Sequence, residues 1–335
     1  MFNGCVKAAG RPWADRPPVC QNHQVIITVT LNTALDVTYR VPSLVPHTTH
    51  RVLDVAERPG GKGVNVARVL AALGHRTTVT GFAGGATGQE LRRALAAVPH
   101  ADLLTDALVP IDGATRRTVA VVAEDTGDTT MFNEPGPAVR PAEWSAFLDR
   151  YRALLAADGV RAVALCGSLP PGLPVGTYAG LVRQARAAGV YVLLDTGGEP
   201  LRRGLAARPD LIKPNSAELT GLTGFAEPAK AAHDARRRGA RAVAASLGPE
   251  GMLAVGEEGT WQALPPEPLP GNPTGAGDSA VAALLAGHAE RLPWPDRLAR
   301  AVALSAATVL APAAGEYDRG AYAKLLPKVR VAAAG

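Results

Sequence analysis

Ala162-Val163-Ala164-Leu165-Cys166-Gly167-Ser168 is followed by a segment of helical periodicity over residues 175–188, and then by Val190-Tyr191-Val192-Leu193-Leu194-Asp195. Both apolar runs have strand length and lack the polar alternation of a half-exposed strand, and each runs into a short polar or glycine-bearing turn. Strands buried on both faces read this way, and two of them joined by a helix make the repeating unit of a parallel sheet. The alternation continues in both directions. It predicts further strands over 25–31, 77–82, 211–212 and 242–246, and helices over 64–73, 89–98, 142–156 and 279–291. The expected architecture is α/β, a doubly wound, mainly parallel sheet with helices on both faces.

In such a sheet the carboxyl ends of the strands share one edge, and ligands bind in the crevice there. The turns at 30–32, 81–85, 166–168, 195–196, 213–215 and 246–248 therefore converge. Two stretches, 36–59 and 112–135, break the alternation, and the second holds extended segments at 118–123 and 129–132 with no helix between them. They are expected to pair as a small antiparallel layer, a lid over the crevice.

The chain has 335 residues, 47% hydrophobic and 19% charged, a balance that excludes a disordered or fibrous protein. No apolar run approaches the ~20 residues that span a bilayer. The net charge of +5 comes from basic residues scattered without a dense block, which fits a phosphorylated small molecule rather than a nucleic acid or a membrane surface. Cys5, Cys20 and Cys166 form no pair and share no metal-ligand spacing with histidine, so neither a disulfide framework nor a structural zinc site is expected. Residues 1–23 lack the apolar stretch of a secretory signal and read as a loose tail on a cytoplasmic protein.

The chemistry is concentrated in two strings. Asn272-Pro273-Thr274-Gly275-Ala276-Gly277-Asp278-Ser279 precedes an apolar helix. Small residues there let the N–H groups of Gly275, Ala276 and Gly277 approach an anion, which the helix dipole favours. Asp278 then stands where it can take the proton of a hydroxyl attacking a phosphoryl group. A tight turn with an aspartate N-cap is the plainer account. The string also matches the dinucleotide fingerprint, but the prolines at 265, 266, 268 and 270 exclude the strand that fingerprint needs. The second string, Pro59-Gly60-Gly61-Lys62-Gly63-Val64-Asn65-Val66-Ala67, opens another helix. It offers backbone access at Gly61, a cation at Lys62 and an amide at Asn65, and it lacks the hydroxyl residue after lysine that a Walker A loop requires.

Together the two strings resemble the ribokinase or PfkB family of carbohydrate kinases. Asn32-Thr33-Ala34-Leu35-Asp36, Asn133-Glu134-Pro135-Gly136-Pro137, Gly167-Ser168-Leu169-Pro170-Pro171-Gly172, Lys213-Pro214-Asn215-x-x-Glu218 and Ser246-Leu247-Gly248-x-x-Gly251 resemble its branch of 1-phosphofructokinases and tagatose-6-phosphate kinases. The resemblance implies a ribokinase-like domain over 24–315 with the lid segments 36–59 and 112–135, followed by a C-terminal segment 316–335. It implies transfer of phosphate from ATP, with Mg²⁺, to a sugar phosphate, fructose 1-phosphate before tagatose 6-phosphate or fructose 6-phosphate. It also implies a homodimer joined through the lid.

By the same resemblance Asp278 is the general base and Gly275, Ala276 and Gly277 are the anion hole. Asp36, Gly61, Lys62 and Asn65 meet the sugar, and Arg116 meets the phosphate the sugar already carries. Asn133 closes the pocket or simply forms its turn, while Arg117 and Arg51 are weaker candidates or exposed charges. Lys213 and the turn of Ser246, Gly248 and Gly251 contact the nucleotide, unless that turn is an ordinary loop. Asn215 and Glu218 organise Mg²⁺ through water, and the same pair reads as an N-cap with its capping-box partner. Thr118 stands where asparagine is common in this branch.

Overall fold

The computed structural model describes residues 24–267, 271, 273–311 and 314–334. The expected tail at 1–23, Cys5, Cys20 and Asn272 lie outside them. In chain order, β1 (Val25–Thr30), β2 (Ala34–Val41) and β3 (Asp54–Gly60) lead to α1 (Lys62–Ala72), β4 (Arg76–Gly84) and α2 (Gly85–Ala97). Four short strands follow, β5 (Leu104–Asp106), β6 (Val109–Ile111), β7 (Arg116–Ala123) and β8 (Thr129–Asn133), and then α3 (Pro141–Leu155). Next come β9 (Val160–Cys166), α4 (Thr177–Ala187), β10 (Tyr191–Asp195), α5 (Gly198–Leu205), β11 (Leu211–Ile212), α6 (Ser216–Thr223), α7 (Pro228–Arg237) and β12 (Val243–Ser246). The chain closes with β13 (Met252–Val255), β14 (Thr260–Leu264), α8 (Ala276–Ala289), α9 (Trp294–Val309), α10 (Arg319–Leu325) and β15 (Arg330–Ala333).

The main sheet runs β15-β14-β13-β12-β11-β10-β9-β1-β4-β5, with β6 also paired to β4. Every pairing from β12 through β5 is parallel, and β12 to β15 pair antiparallel at one end. Alternation along each strand supplies two cores. Ile27, Val29, Val163, Leu165, Val192 and Leu194 pack towards α3, α4, α5, α6 and α7 on one face. Ile26, Ala162, Ala164, Cys166 and Leu193 pack towards α1, α8, α9 and α10 on the other. The central strands are apolar at nearly every position because both faces are covered. For the same reason α8 is buried all round from Ala280 to Ala286, so its sequence shows no amphipathic stripe.

The lid is a separate four-stranded sheet in the order β3-β2-β7-β8. It corrects the expected antiparallel layer, since β2 and β7 pair in parallel, Ala34 opposite Arg116 through Val41 opposite Ala123. Both strands start at the crevice edge of the main sheet, and the chain between them makes a long crossover, which parallel pairing requires. The C-terminal segment joins the main body. There β15 extends the main sheet beside β14, and Tyr322 and Leu325 of α10 are buried in its core. Among the described residues no helix is long and apolar enough to cross a membrane.

Candidate active site

Both glycine strings end as helix N-termini. Gly275 caps α8 at φ +85° and Gly61 caps α1 at φ +95°, left-handed conformations that glycine adopts without strain. Space demands glycine as well: a Cβ on Gly275 would lie 2.8 Å from Ala314 Cα, and one on Gly61 would lie 2.9 Å from Thr30 Cγ2. Neither N-cap glycine offers a side-chain cap, and in α8 the Ala276 N–H donates to the Pro273 carbonyl at 3.1 Å, so an anion at this turn meets the positive end of the helix dipole and competes with that carbonyl.

Helices α1 and α8 pack against each other on one face of the sheet, and this brings the two turns together. Asn65 Nδ2 donates to Asp278 Oδ2 at 2.9 Å across 213 residues of sequence. Asp278 is buried, and burial pushes its carboxyl up to about 6, with the nearby Asp195 charge adding and Lys62 and Asn65 opposing. Asp36 on β2 is likewise pushed up to about 6 by burial, against the pull of the Arg116 guanidinium. A Cβ on Gly60 would lie 2.1 Å from the Asp36 carboxyl, so the lid strand β3 passes directly against that side chain.

Asp195, at the end of β10, is the residue that sequence reasoning left without a role. It is 1% exposed, and its two oxygens lie 3.2 Å from Lys62 Nζ and 3.4 Å from Lys213 Nζ. Burial opposes its charge, but Lys213 and Lys62 outweigh burial and hold its carboxyl below the ordinary range. Asp195 in turn raises the Lys62 ammonium above the usual amine range. Lys213 is buried as well, and its Nζ is 3.4 Å from where a Cβ on Gly277 would stand, which sets a positive charge against the first turn of α8. Only the position of Asp195, closing an apolar strand at the crevice edge, hinted at this.

On the lid, Arg116 Nε donates to the Asn32 carbonyl and Nη1 to the Glu134 carbonyl, both at 3.2 Å. Thr118 stands opposite Asp36 in the β2–β7 ladder. Asn133 closes β8 opposite Thr118. Opposite the lid, Asn215 and Glu218 form a reciprocal capping box at the start of α6, with bonds of 2.8 and 2.9 Å. Ser246 ends β12 and bridges to Asn215, and Gly248 and Gly251 take φ of +62° and +79° in the turn that follows.

One cavity of about 1090 Å³ joins these groups. Its wall takes Asp36, Gly61, Lys62, Asn65, Arg116 and Asn133 from the first half of the chain. From the second half it takes Lys213, Asn215, Glu218, Ser246, Gly248, Gly251 and the Gly275–Asp278 turn. Arg51 and Arg117 are not on this wall; Arg117 instead receives the Glu134 carboxylate on its backbone N–H at 2.7 Å. The volume is at the upper end of the ~300–1,000 Å³ of single-ligand sites, enough for a nucleotide and a small acceptor side by side. A neighbouring cavity of about 700 Å³ shares Lys62 and Glu218 and is lined by Ser168 and Thr196.

Residues 27–318 match the pfkB family of carbohydrate kinases. The chain is 41% identical over 272 residues to the 1-phosphofructokinase of Rhodobacter capsulatus, spanning 80% of this chain and 84% of that one. Its fold is similar to Escherichia coli phosphofructokinase-2 in complex with fructose-6-phosphate, with TM-score 0.81 and 32% identity over 90% of this chain and 98% of the other. It is also similar to a possible 1-phosphofructokinase of Thermotoga maritima, with TM-score 0.84 and 26% identity over 93% of this chain and 100% of that one. A family match over most of the chain, on a fold that gathers two glycine-bearing helix turns and a buried carboxylate in one cleft, has one reading: the chain belongs to the pfkB family of carbohydrate kinases.

Proposed function

We propose that this ATP-dependent sugar kinase is a 1-phosphofructokinase, converting fructose 1-phosphate to the 1,6-bisphosphate. The observation that carries the chemistry is the Asn65–Asp278 hydrogen bond, because it joins the two halves of the cleft at the carboxylate. Asp278 accepts the proton of the acceptor hydroxyl as its oxygen attacks the γ-phosphorus of ATP. A P–O bond forms to the sugar, the bond to the β-phosphate oxygen breaks, and ADP leaves. The N–H groups of the Gly275–Gly277 turn and the Lys213 ammonium oppose the charge on the transferred group. Asp36, Gly61 and Asn65 hold the sugar hydroxyls, Asn133 closes the pocket, and Arg116 pairs with the phosphate already on the sugar. Lys62 sits between the sugar and Asp195.

Lys213, Ser246, Gly248 and Gly251 receive the nucleotide. The Glu218 capping box uses Oε2 and leaves Oε1 outside it. One carboxylate beside nucleotide phosphates suits Mg²⁺, which keeps several waters. Asn215 and Glu218 would hold the ion through water, and when bound it neutralises phosphate charge. These proposed substrates support a cytoplasmic enzyme that acts on small molecules rather than on nucleic acid or a membrane. Exposed Leu53, Val55 and Phe132 on the lid support a homodimer formed through that sheet; a monomer by light scattering at assay concentration overturns it.

Sugar choice rests on the identity to the Rhodobacter enzyme. A second reading, fructose 6-phosphate as acceptor, is favoured by the named ligand of the Escherichia coli relative. The test is ADP release over fructose 1-phosphate, fructose 6-phosphate, tagatose 6-phosphate and unphosphorylated fructose. Fructose 1-phosphate is expected to give the highest kcat/KM, and binding of sugar and nucleotide without turnover on any acceptor refutes the kinase chemistry. Arg116→Ala should raise KM for the phosphosugar and leave that for ATP nearly unchanged. Equal effects on both would remove the assigned contact.

The pH profile is a further expected result. A base must be ionised to work, so activity is present above the pKa of the essential carboxyl and is lost as pH falls through it. Since Asp278 and Asp36 are both pushed up to about 6 and the Asp278 charge adds to the rise at Asp36, kcat/KM should fall below about pH 6 more steeply than one proton allows. An acid limb near pH 4 with unit slope would contradict this.

A further inference from the structure

Glu316, just beyond the turn that follows α9, is where three parts of the protein meet. Its Oε1 accepts from Arg58 Nε at 3.3 Å and from Arg68 Nη2 at 2.9 Å. Arg58 belongs to lid strand β3 and stands opposite Asp36 in the β2–β3 ladder. Arg68 is on α1, three residues beyond Asn65, with its side chain only 5% exposed, and its Nη1 donates to the Ala314 carbonyl at 3.0 Å. Ala314 in turn packs against Gly275, where an added Cβ would come within 2.8 Å of it. Gly315, at φ +76°, fits as closely on the other side: a Cβ there would lie 2.6 Å from Arg68 Nη1 and 3.0 Å from Asn65 Oδ1.

These contacts form an unbroken path from the lid, through Glu316 and Arg68, to the residues that back the Gly275 turn. The path runs behind the cleft, and Glu316 and Arg68 are absent from the cavity wall. A buried guanidinium needs a carboxylate to offset its lost hydration, and Glu316 supplies it while also gripping the lid. We infer that Glu316 is a positioning residue that ties the lid to the anion-binding turn. The lid's placement over the acceptor and the turn's placement around the transferred phosphoryl group are thereby set together. This inference rests on the kinase reading of the cleft.

The experiment is a double-mutant cycle of Glu316→Ala and Arg58→Ala, with Glu316→Gln as the variant that keeps an acceptor oxygen. Each alanine variant should lower kcat about 10-fold, the scale of a small misplacement of reacting groups. KM for ATP should stay within about two-fold, because ATP does not touch the link, while KM for the phosphosugar should rise with the loosened lid that carries Asp36 and Arg116. The double variant should be no slower than Glu316→Ala alone, and Glu316→Gln should recover part of the rate. A merely structural role would lower thermal stability without this shared loss of kcat. Unchanged kcat in folded Glu316→Ala, or losses that multiply in the double variant, overturns the inference. If Glu316→Ala does not fold, Arg58→Ala and Glu316→Gln carry the comparison.

Amide hydrogen exchange separates failure of this link from failure of the kinase reading, since it needs no turnover. Faster exchange at both 54–60 and 273–278 in Glu316→Gln supports the link. Change confined to 314–316 refutes it. Absence of turnover in the wild type counts only against the kinase reading.

Discussion

Asp278→Asn is expected to reduce kcat by about 10²–10⁴-fold, the usual contribution of a positioned general base, with sugar and nucleotide binding retained. Asparagine keeps the size of the side chain, so the packing of α8 is preserved. The amide can still meet Asn65 through its oxygen, but it cannot take the acceptor proton. The acid limb of the pH profile should lose the Asp278 component in whatever activity remains. Steady-state kinetics with calorimetric measurement of ADP binding check both halves. A variant within a few-fold of the wild type would show that the proton leaves by another route and that Asp278 only holds Asn65 in place.

The second large effect is on stability. Asp195→Ala should destabilise the fold by about 3–5 kcal/mol, the cost of breaking a buried ion pair by removing one partner. Lys62 is 42% exposed at its side chain and can turn to water, whereas Lys213 is 4% exposed and cannot; the loss falls mainly on Lys213. The sign with pH follows from the direction of the shift. Asp195 is held below the ordinary carboxylate range, so its contribution is complete above the unfolded pKa of about 4 and is lost as pH falls through the lower folded value. Asp36 and Asp278 act in the opposite sense: both are pushed up to about 6 when folded, so the stability their protonation gives is complete below about pH 4 and is lost as pH rises through about 6. Urea unfolding of wild type and Asp195→Ala at pH 7 measures the difference. A change under about 1 kcal/mol would show that the ion pair adds little to the fold, contrary to the burial of both groups.

Short-range pattern carried much of the architecture. The parallel strands and the helices flanking them were legible because a strand covered on both faces has to be apolar throughout, as 162–166 and 190–195 are. The two glycine strings were legible for a related reason: close backbone approach and left-handed φ leave few alternatives to glycine at Gly61 and Gly275. What misled was the lid. Extended segments were evident at 118–123 and 129–132, but strand direction depends on where the chain returns, and the local sequence around Ala34 and Arg116 contains nothing about that. The C-terminal strand was not legible for the same reason, since β15 is short and mostly exposed and gains its identity only by lying beside β14.

Sequence alone therefore determined the alternation of buried strands and helices, the glycine-bearing helix starts, and the carbohydrate-kinase family to which the two strings belong. Tertiary structure alone decided that Asn65 touches Asp278, that Asp195 sits between Lys62 and Lys213, and that Glu316 reaches both the lid and α1. The division has a physical cause. Backbone sterics and burial act over a few residues and leave periodic marks, whereas an ion pair or hydrogen bond between groups far apart in the chain depends on side-chain positions that exist only once the sheet and its helices have packed.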